Sequence, residues 1–217
     1  MVAFYKNRSM PQLKYVTVEK QTQTEIVIEK SRFITLVAPC PTEKSAREIL
    51  LARKKEHPFA THNCYAFIAD NGVTTRFSDD GEPGGTAGAP IMEALKRSGV
   101  TNVIVVVTRY FGGIKLGAGG LTRAYARCAS EGIKSAEVKT YEMADKLFFS
   151  LGYEDYNVFL KMKSADFKTF SVDFSDKVNV TVFVKSEAIS RFSELFKETF
   201  LGRYSYENIG EEYYCFD

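Results

Sequence analysis

Five successive residues, Val103–Val107 (VIVVV), carry a branched β-carbon. Such side chains lose rotamer freedom in a helix and fit the pleated surface of a sheet. The run shows no alternation with polar residues, so it is expected to be a central strand buried on both faces. It leads directly into Thr108–Arg127 (TRYFGGIKLGAGGLTRAYAR), a segment dense in glycine and cations.

The neighbouring patterns extend this picture. Thr24–Glu29 (TEIVIE) and Ser31–Ala38 (SRFITLVA) read as strands, the second ended by Pro39 and Pro41. Thr42 is a good helix N-cap, with Glu43 in the first turn. Ala46, Ile49 and Leu50 then share a helical face, and Lys54, Lys55 and Pro58 close that helix. Cys64–Ala69 reads as a strand turning at Asn71-Gly72 into Thr74–Ser78. After the loop SDDGEPGGTAGAP, Ile91, Ala94 and Leu95 mark a helix stopped by Gly99. Leu121, Tyr125, Cys128, Ala129 and Ile133 share one face of the helix that the glycine segment opens.

The pattern restarts after Ala136. Lys146–Leu151 alternates as a strand, Tyr153–Met162 reads as a helix, and Phe170–Phe174 and Val178–Val184 alternate around a turn at Ser175–Lys177. Ile189, Phe192, Leu195, Phe196 and Phe200 form an apolar helix face ended by Gly202, and Tyr204–Phe216 offers a last strand. This β-α-β-β-α-β order is the split βαβ or ferredoxin-like pattern. The boundary is placed at Val138, giving domains 1–138 and 139–217. The tyrosines of the last strand, which could stack on bases, are better explained by core and strand-pair packing.

At 217 residues and 45% hydrophobic content the chain can bury substantial cores, which excludes a disordered class. No apolar run reaches the roughly 18 residues of a membrane helix. The opening MVAFYKNRSMPQLKYV has no apolar core or small-residue cleavage site, so a secretory leader is not expected. Cys40, Cys64, Cys128 and Cys215 include no CxxC pair and fit reduced thiols in a cytoplasmic protein. Net charge is +2, but unevenly spread. Through Val138 there are 19 Lys and Arg against 13 Asp and Glu, a balance of +6; the rest carries 10 against 14, a balance of −4. A basic first half suits a polyanionic or phosphate partner.

Gly112, Gly113, Gly117, Gly119 and Gly120 fall within nine residues. Glycine lets backbone N–H groups approach a ligand unobstructed. Gly119-Gly120 are expected to precede a helix, whose N-terminal amides suit an anion. Arg109, Lys115, Arg123 and Arg127 surround the loop, and arginine forks match phosphate. The bland alternative is tight turns beside a solvated face. Neither a Walker A loop nor the dinucleotide fingerprint is present.

A second cluster lies in Ser78–Pro90, where Asp79, Asp80 and Glu82 could bind Mg²⁺ or position a hydroxyl. The alternative is a turn in which aspartates cap backbone N–H groups, including those of a helix starting at Thr86. His62 and Cys64 point to one strand face. A metal or nucleophile pair is conceivable there, but no third ligand stands at a recognised spacing, so no metal site and no cofactor are assigned; His62 could instead bond an acid of the SDDGE loop.

THNCYAF (Thr61–Phe67), RFSDDGEPGGTAGAPI (Arg76–Ile91) and RYFGGIKLGAGGLTRAY (Arg109–Tyr125) resemble the YigZ/IMPACT family. The three motifs cover the first domain in the right order, and the tail resembles the extra domain of bacterial members. The resemblance implies an α+β fold of two domains. The first would be a ribosomal-protein and GHMP-kinase-like α/β sandwich, the second a ferredoxin-like β-α-β-β-α-β domain. Carried over by motif, the site positions are His62, Asp79, Asp80, Glu82, Arg109, Lys115, Gly119, Gly120 and Arg123; Gly117 and Arg127 join the expected phosphate-binding set from the glycine and cation pattern alone. Eukaryotic IMPACT members regulate translation through protein partners.

Three functions follow as expectations. The first is a non-enzymatic RNA- or ribosome-associated module, held by phosphate contacts and sensitive to salt. The second is a phosphate-handling enzyme of GHMP-kinase-like type, with Asp79 or Glu82 as metal ligand or base. The third is a protein-interaction regulator. No membrane partner is expected.

Overall fold

A computed structural model describes residues 13–216. Most of the opening stretch read above for a leader lies outside them. The chain divides into two compact units, Tyr15–Lys139 and the unit formed by Thr140 onward with Lys14.

In the first unit β1 (Lys14–Val18) precedes β2 (Thr22–Ile28) and β3 (Ser31–Pro39). Then follow α1 (Glu43–Glu56), β4 (His62–Ala69), β5 (Thr74–Ser78), α2 (Gly88–Ser98), β6 (Val103–Tyr110) and α3 (Gly117–Ser135). The sheet runs β2-β3-β6-β4-β5, antiparallel throughout. The β-branched run is its middle strand, with Val103–Arg109 entirely buried. Period-two alternation divides its side chains between two cores. Val103, Val105 and Val107 pack with Ile91 and Leu95 of α2 and Leu121 and Tyr125 of α3. Ile104 and Val106 pack with Leu36, Phe67 and the Ala46, Ile49 and Leu50 face of α1. Each such aliphatic burial contributes roughly 1.5–3 kcal/mol.

Local chemistry fixes the joints. Thr42 accepts the Ser45 N–H and Ser45 returns a bond to the Thr42 N–H, closing a capping box on α1. Gly99 ends α2 in the left-handed conformation, φ 72°. The β2–β3 hairpin turns at Glu29 and Lys30, both at positive φ without a glycine between them. Gly112 lies against that turn: a Cβ there would meet the Lys30 carbonyl carbon at 2.0 Å, so only glycine permits the approach.

The second unit contains most of β7 (Val138–Leu151), with α4 (Tyr153–Phe159), β8 (Phe167–Phe174), β9 (Val178–Lys185), α5 (Ile189–Thr199) and β10 (Glu207–Cys215). The pairings run β10-β7-β9-β8, all antiparallel. The order is the β-α-β-β-α-β expected from the pattern. Leu147, Phe149 and Leu151 face Val178, Val180 and Val182, and Phe192 and Phe196 of α5 close the core. α4 ends three residues before the expected Met162, because its last turn tightens into i to i+3 bonds at Lys161 and Met162. Tyr204 and Tyr206 pack on the core, and Tyr214 stacks on Phe183 at 4.3 Å between centroids.

Candidate functional site

The site is assembled at the end of β6. Arg109 follows the parity of Val103, Val105 and Val107 and so points into the α2–α3 core. Its strand neighbours are Phe33 of β3 and His62 of β4. Its guanidinium lies 5.3 Å from the Phe33 ring centroid and 5.5 Å from that of Phe111. Nη1 bonds Glu82 Oε1 at 2.6 Å, and Nη2 reaches Ser31 Oγ at 3.3 Å. Glu82 also accepts from the Tyr125 hydroxyl at 2.8 Å. Both ion-pair side chains are buried, at 6% and 3% exposure. Arg109, expected as a surface phosphate contact, is therefore a buried cation with a resident carboxylate. Two charges out of water persist only when each holds the other and further hydrogen bonds satisfy them. Burial beside Cys64 and Glu82 holds the Tyr125 phenol protonated far above its ordinary range.

The acidic loop is built by its own carboxylates. The Glu82 N–H bonds the Asp79 carbonyl at 2.9 Å, closing a turn whose central Asp80 and Gly81 both have positive φ. Asp79 accepts three backbone N–H groups, from Gly85, Ala87 and Gly88 at 2.8–2.9 Å. It thus caps α2 from a distance, and that helix begins at Gly88 where Thr86 was expected. Asp80 accepts from the Asn63 N–H at 2.7 Å and pairs with Lys54 Nζ at 2.8 Å. The three acids, for which metal binding or base catalysis was one of two readings, each hold a structural bond.

A pH dependence follows. Burial pushes the Asp79 carboxyl up, but bonds from Gly85, Gly88 and Ala87 together hold it lower than the usual carboxylate. A carboxylate lowered by folding stabilises above its unfolded value and loses that contribution as pH falls through the folded one. Asp79→Ala should destabilise the first unit by about 2 kcal/mol at pH 7 in urea titrations, the upper end for a lost cap. The gap to the parent should narrow below about pH 4; a gap that persists unchanged at pH 3 would show that charge plays no part.

The glycine segment divides by role. α3 begins at Gly117, with Leu116 as its cap, so Gly119 and Gly120 lie inside the first turn, where they were expected to precede it. Gly113 and Gly117 have positive φ, as turns require. Gly119 has neither reason: its φ is ordinary, and an added Cβ would meet only the tip of the Arg123 side chain, at 3.4 Å. Glycine in a helix costs about 1 kcal/mol against alanine, so an exposed one without steric cause leaves the amides open. Of the four cations, Arg127 is paired with Glu131 at 2.7 Å and Arg109 with Glu82. Lys115 and Arg123 are exposed and have no ion-pair or hydrogen-bond partner among the described residues. A groove of about 480 Å³ is lined by Lys115, Gly120, Arg123 and Arg127 together with the acidic Glu29. A second cavity of about 340 Å³ shares Lys115 and Leu116 with it and reaches Glu82, Arg109 and Phe111.

His62 Nδ1 lies 2.8 Å from the Asp80 carbonyl oxygen, to which it donates, and Nε2 is 3.9 Å from Glu82. The histidine thus meets the SDDGE loop. Cys64 is buried, donates to the Asp79 carbonyl at 2.9 Å, and is pushed up to about 12 by burial, so it is no thiolate nucleophile. Cys40 and Cys128 are buried as well, and Cys215 is half-buried. Native protein at pH 8 should show at most one thiol, Cys215, reacting quickly with a disulfide reagent, against all four after denaturation. Rapid labelling of Cys64 would contradict this.

Sequence reasoning missed Arg53. It lies on α1 beneath the sheet at 1% exposure. It donates to Thr108 Oγ1 at 3.0 Å, Gln23 Oε1 at 2.9 Å and Glu56 Oε2 at 2.9 Å. Thr108 in turn donates to Asn63 Oδ1 at 2.8 Å, which ties α1 to the strand carrying Arg109. Arg53 falls on the Ala46, Ile49 and Leu50 face, and that spacing was the available signal.

Comparison with known proteins gives these residues company. Residues 29–133 match the Impact N-terminal domain. A Bacillus subtilis protein named IMPACT family member YvyE is 39% identical over 191 residues, covering 87% of this chain and 88% of its own. A Thermus thermophilus IMPACT family member is 47% identical over 110 residues, 51% of this chain and 59% of that protein. A crystal structure of a hypothetical protein covers 92% of this chain and 98% of its own, with 28% identity and a TM-score of 0.60. Among the described residues, no helix is long and apolar enough to cross a membrane.

Proposed function

The chain belongs to the IMPACT family, and on that footing we propose that it binds RNA, free or within the ribosome, through the start of α3, and so acts on translation. One observation carries this reading. Lys115 and Arg123, exposed and without partners among the described residues, flank a helix N-terminus whose first turn is glycine-lined. Cations, open amides and the helix dipole converge there on one kind of ligand, the phosphate oxygen. The basic balance of the first half favours a polyanionic partner. The phosphoryl-transfer alternative has less support, because Asp79, Asp80 and Glu82 already hold backbone amides or cations.

The test is a fluorescence-anisotropy titration of a labelled single-stranded RNA at 50 to 200 mM salt. Each phosphate contact on a single strand contributes about −0.7 to the slope of log K against log salt. Two to three contacts give a slope of about −1.4 to −2. Absence of binding at 50 mM salt, or affinity indifferent to salt, would overturn the proposal.

A further inference from the structure

We infer that the cavity beside the glycine segment takes the base of one unpaired nucleotide, whose phosphate lies outside on Lys115 and Arg123; this deepens the RNA reading and rests on it. The two recesses that share Lys115 and Leu116 differ in chemistry. The larger is basic, with Arg123 and Arg127 in its wall. The smaller, of about 340 Å³, is lined by Pro83, Phe111, Leu116 and Leu121, with Glu82, Arg109 and the shared Lys115 as its charged members. Its volume lies in the roughly 300–1,000 Å³ range of small-ligand pockets, and an apolar wall with a few polar groups is their usual make-up.

Arg109 in the inner wall is already neutralised by Glu82, whereas the outer groove carries Arg123 beside the shared Lys115, so the anion belongs in the outer groove. Arg109 is 5% exposed, and its Nε is a buried donor without a partner. The buried pair fixes the back of the recess, and the apolar Pro83, Phe111, Leu116 and Leu121 around it offer a surface suited to the flat face of a neutral heterocycle. Phe111 supplies a ring for stacking: it lines the cavity yet remains 47% exposed, with the Arg109 guanidinium against it. Bases stack on such rings irrespective of sequence. Paired bases have their edges engaged and cannot leave the stack without loss, so the site is expected to prefer single strands to duplex.

The experiment uses the full chain and three probes: a single-stranded RNA with 2-aminopurine in place of one adenine, a blunt-ended RNA duplex, and inorganic polyphosphate. Binding of the single strand by the parent should change the 2-aminopurine emission. Phe111→Ala should weaken the single strand about tenfold and leave duplex and polyphosphate within about twofold. Phe111→Tyr, which keeps a ring, should behave as the parent. If Phe111→Ala has no effect while Lys115→Ala/Arg123→Ala weakens all three probes, the base pocket is overturned and phosphate binding stands. If no RNA binds, the inference falls together with the reading beneath it. A free nucleoside monophosphate binding as tightly as the strand would overturn the strand as the source of the nucleotide.

Discussion

Replacing Lys115 and Arg123 together by alanine is expected to lower the affinity for single-stranded RNA by roughly 30- to 150-fold at low salt. Each is exposed and lacks an ion-pair or hydrogen-bond partner among the described residues, so each is available to a phosphate. At an exposed, screened surface each contact is worth about 1–1.5 kcal/mol, so two give about 2–3 kcal/mol, and 1.4 kcal/mol is tenfold. The salt slope should fall by about 1.4 as well. Stability should move by less than about 0.5 kcal/mol, because neither side chain supports the fold. Arg127→Ala is the control, since Arg127 already faces Glu131 at 2.7 Å and should matter much less. A double variant with unchanged RNA affinity would remove the glycine segment from the interface.

The second large effect concerns the fold of the site. Glu82→Gln keeps the size and an acceptor for Tyr125 but leaves Arg109 as an uncompensated buried charge. Breaking such a pair costs about 3–5 kcal/mol. For a unit of this size the melting temperature should fall by about 10–20 °C, read by calorimetry. The double variant Glu82→Met/Arg109→Leu removes both charges and should recover most of the loss, as apolar replacements of buried ion pairs do. It should not recover base-dependent RNA binding, since the polar wall of the cavity is gone. A loss under about 1 kcal/mol in Glu82→Gln would show the pair to be better solvated than its burial implies.

The strand at the centre of the first unit was legible because five β-branched residues admit one comfortable environment. The helices on its faces were legible from spacing, and Thr42 and Gly99 marked ends with the expected chemistry. Charged residues in the interior were not. Arg109 and Arg53 look like surface cations in a string of letters. Their burial depends on Glu82, 27 residues away, and on Gln23, 30 residues away, contacts that only the folded chain brings about. Parity with Val107 and spacing from Ile49 would have pointed both inward, had charge not been taken as a reason for exposure. The start of α3 was displaced by four residues, from Leu121 to Gly117, because glycine is compatible with both a loop and a helical first turn. The break between β2 and β3 was legible, but the positive φ at Glu29 and Lys30 was not, since neither residue announces it.

The most direct test of binding at this site is its location. Single-stranded RNA carrying 4-thiouridine is photocrosslinked to the intact protein, and the adducts are mapped by peptide mass spectrometry. Adducts concentrated in residues 108–127, with a second set in 78–90, are the expected result. Efficient crosslinking confined to residues 140–216, or spread without preference over the chain, would contradict the assignment of the interface to the start of α3.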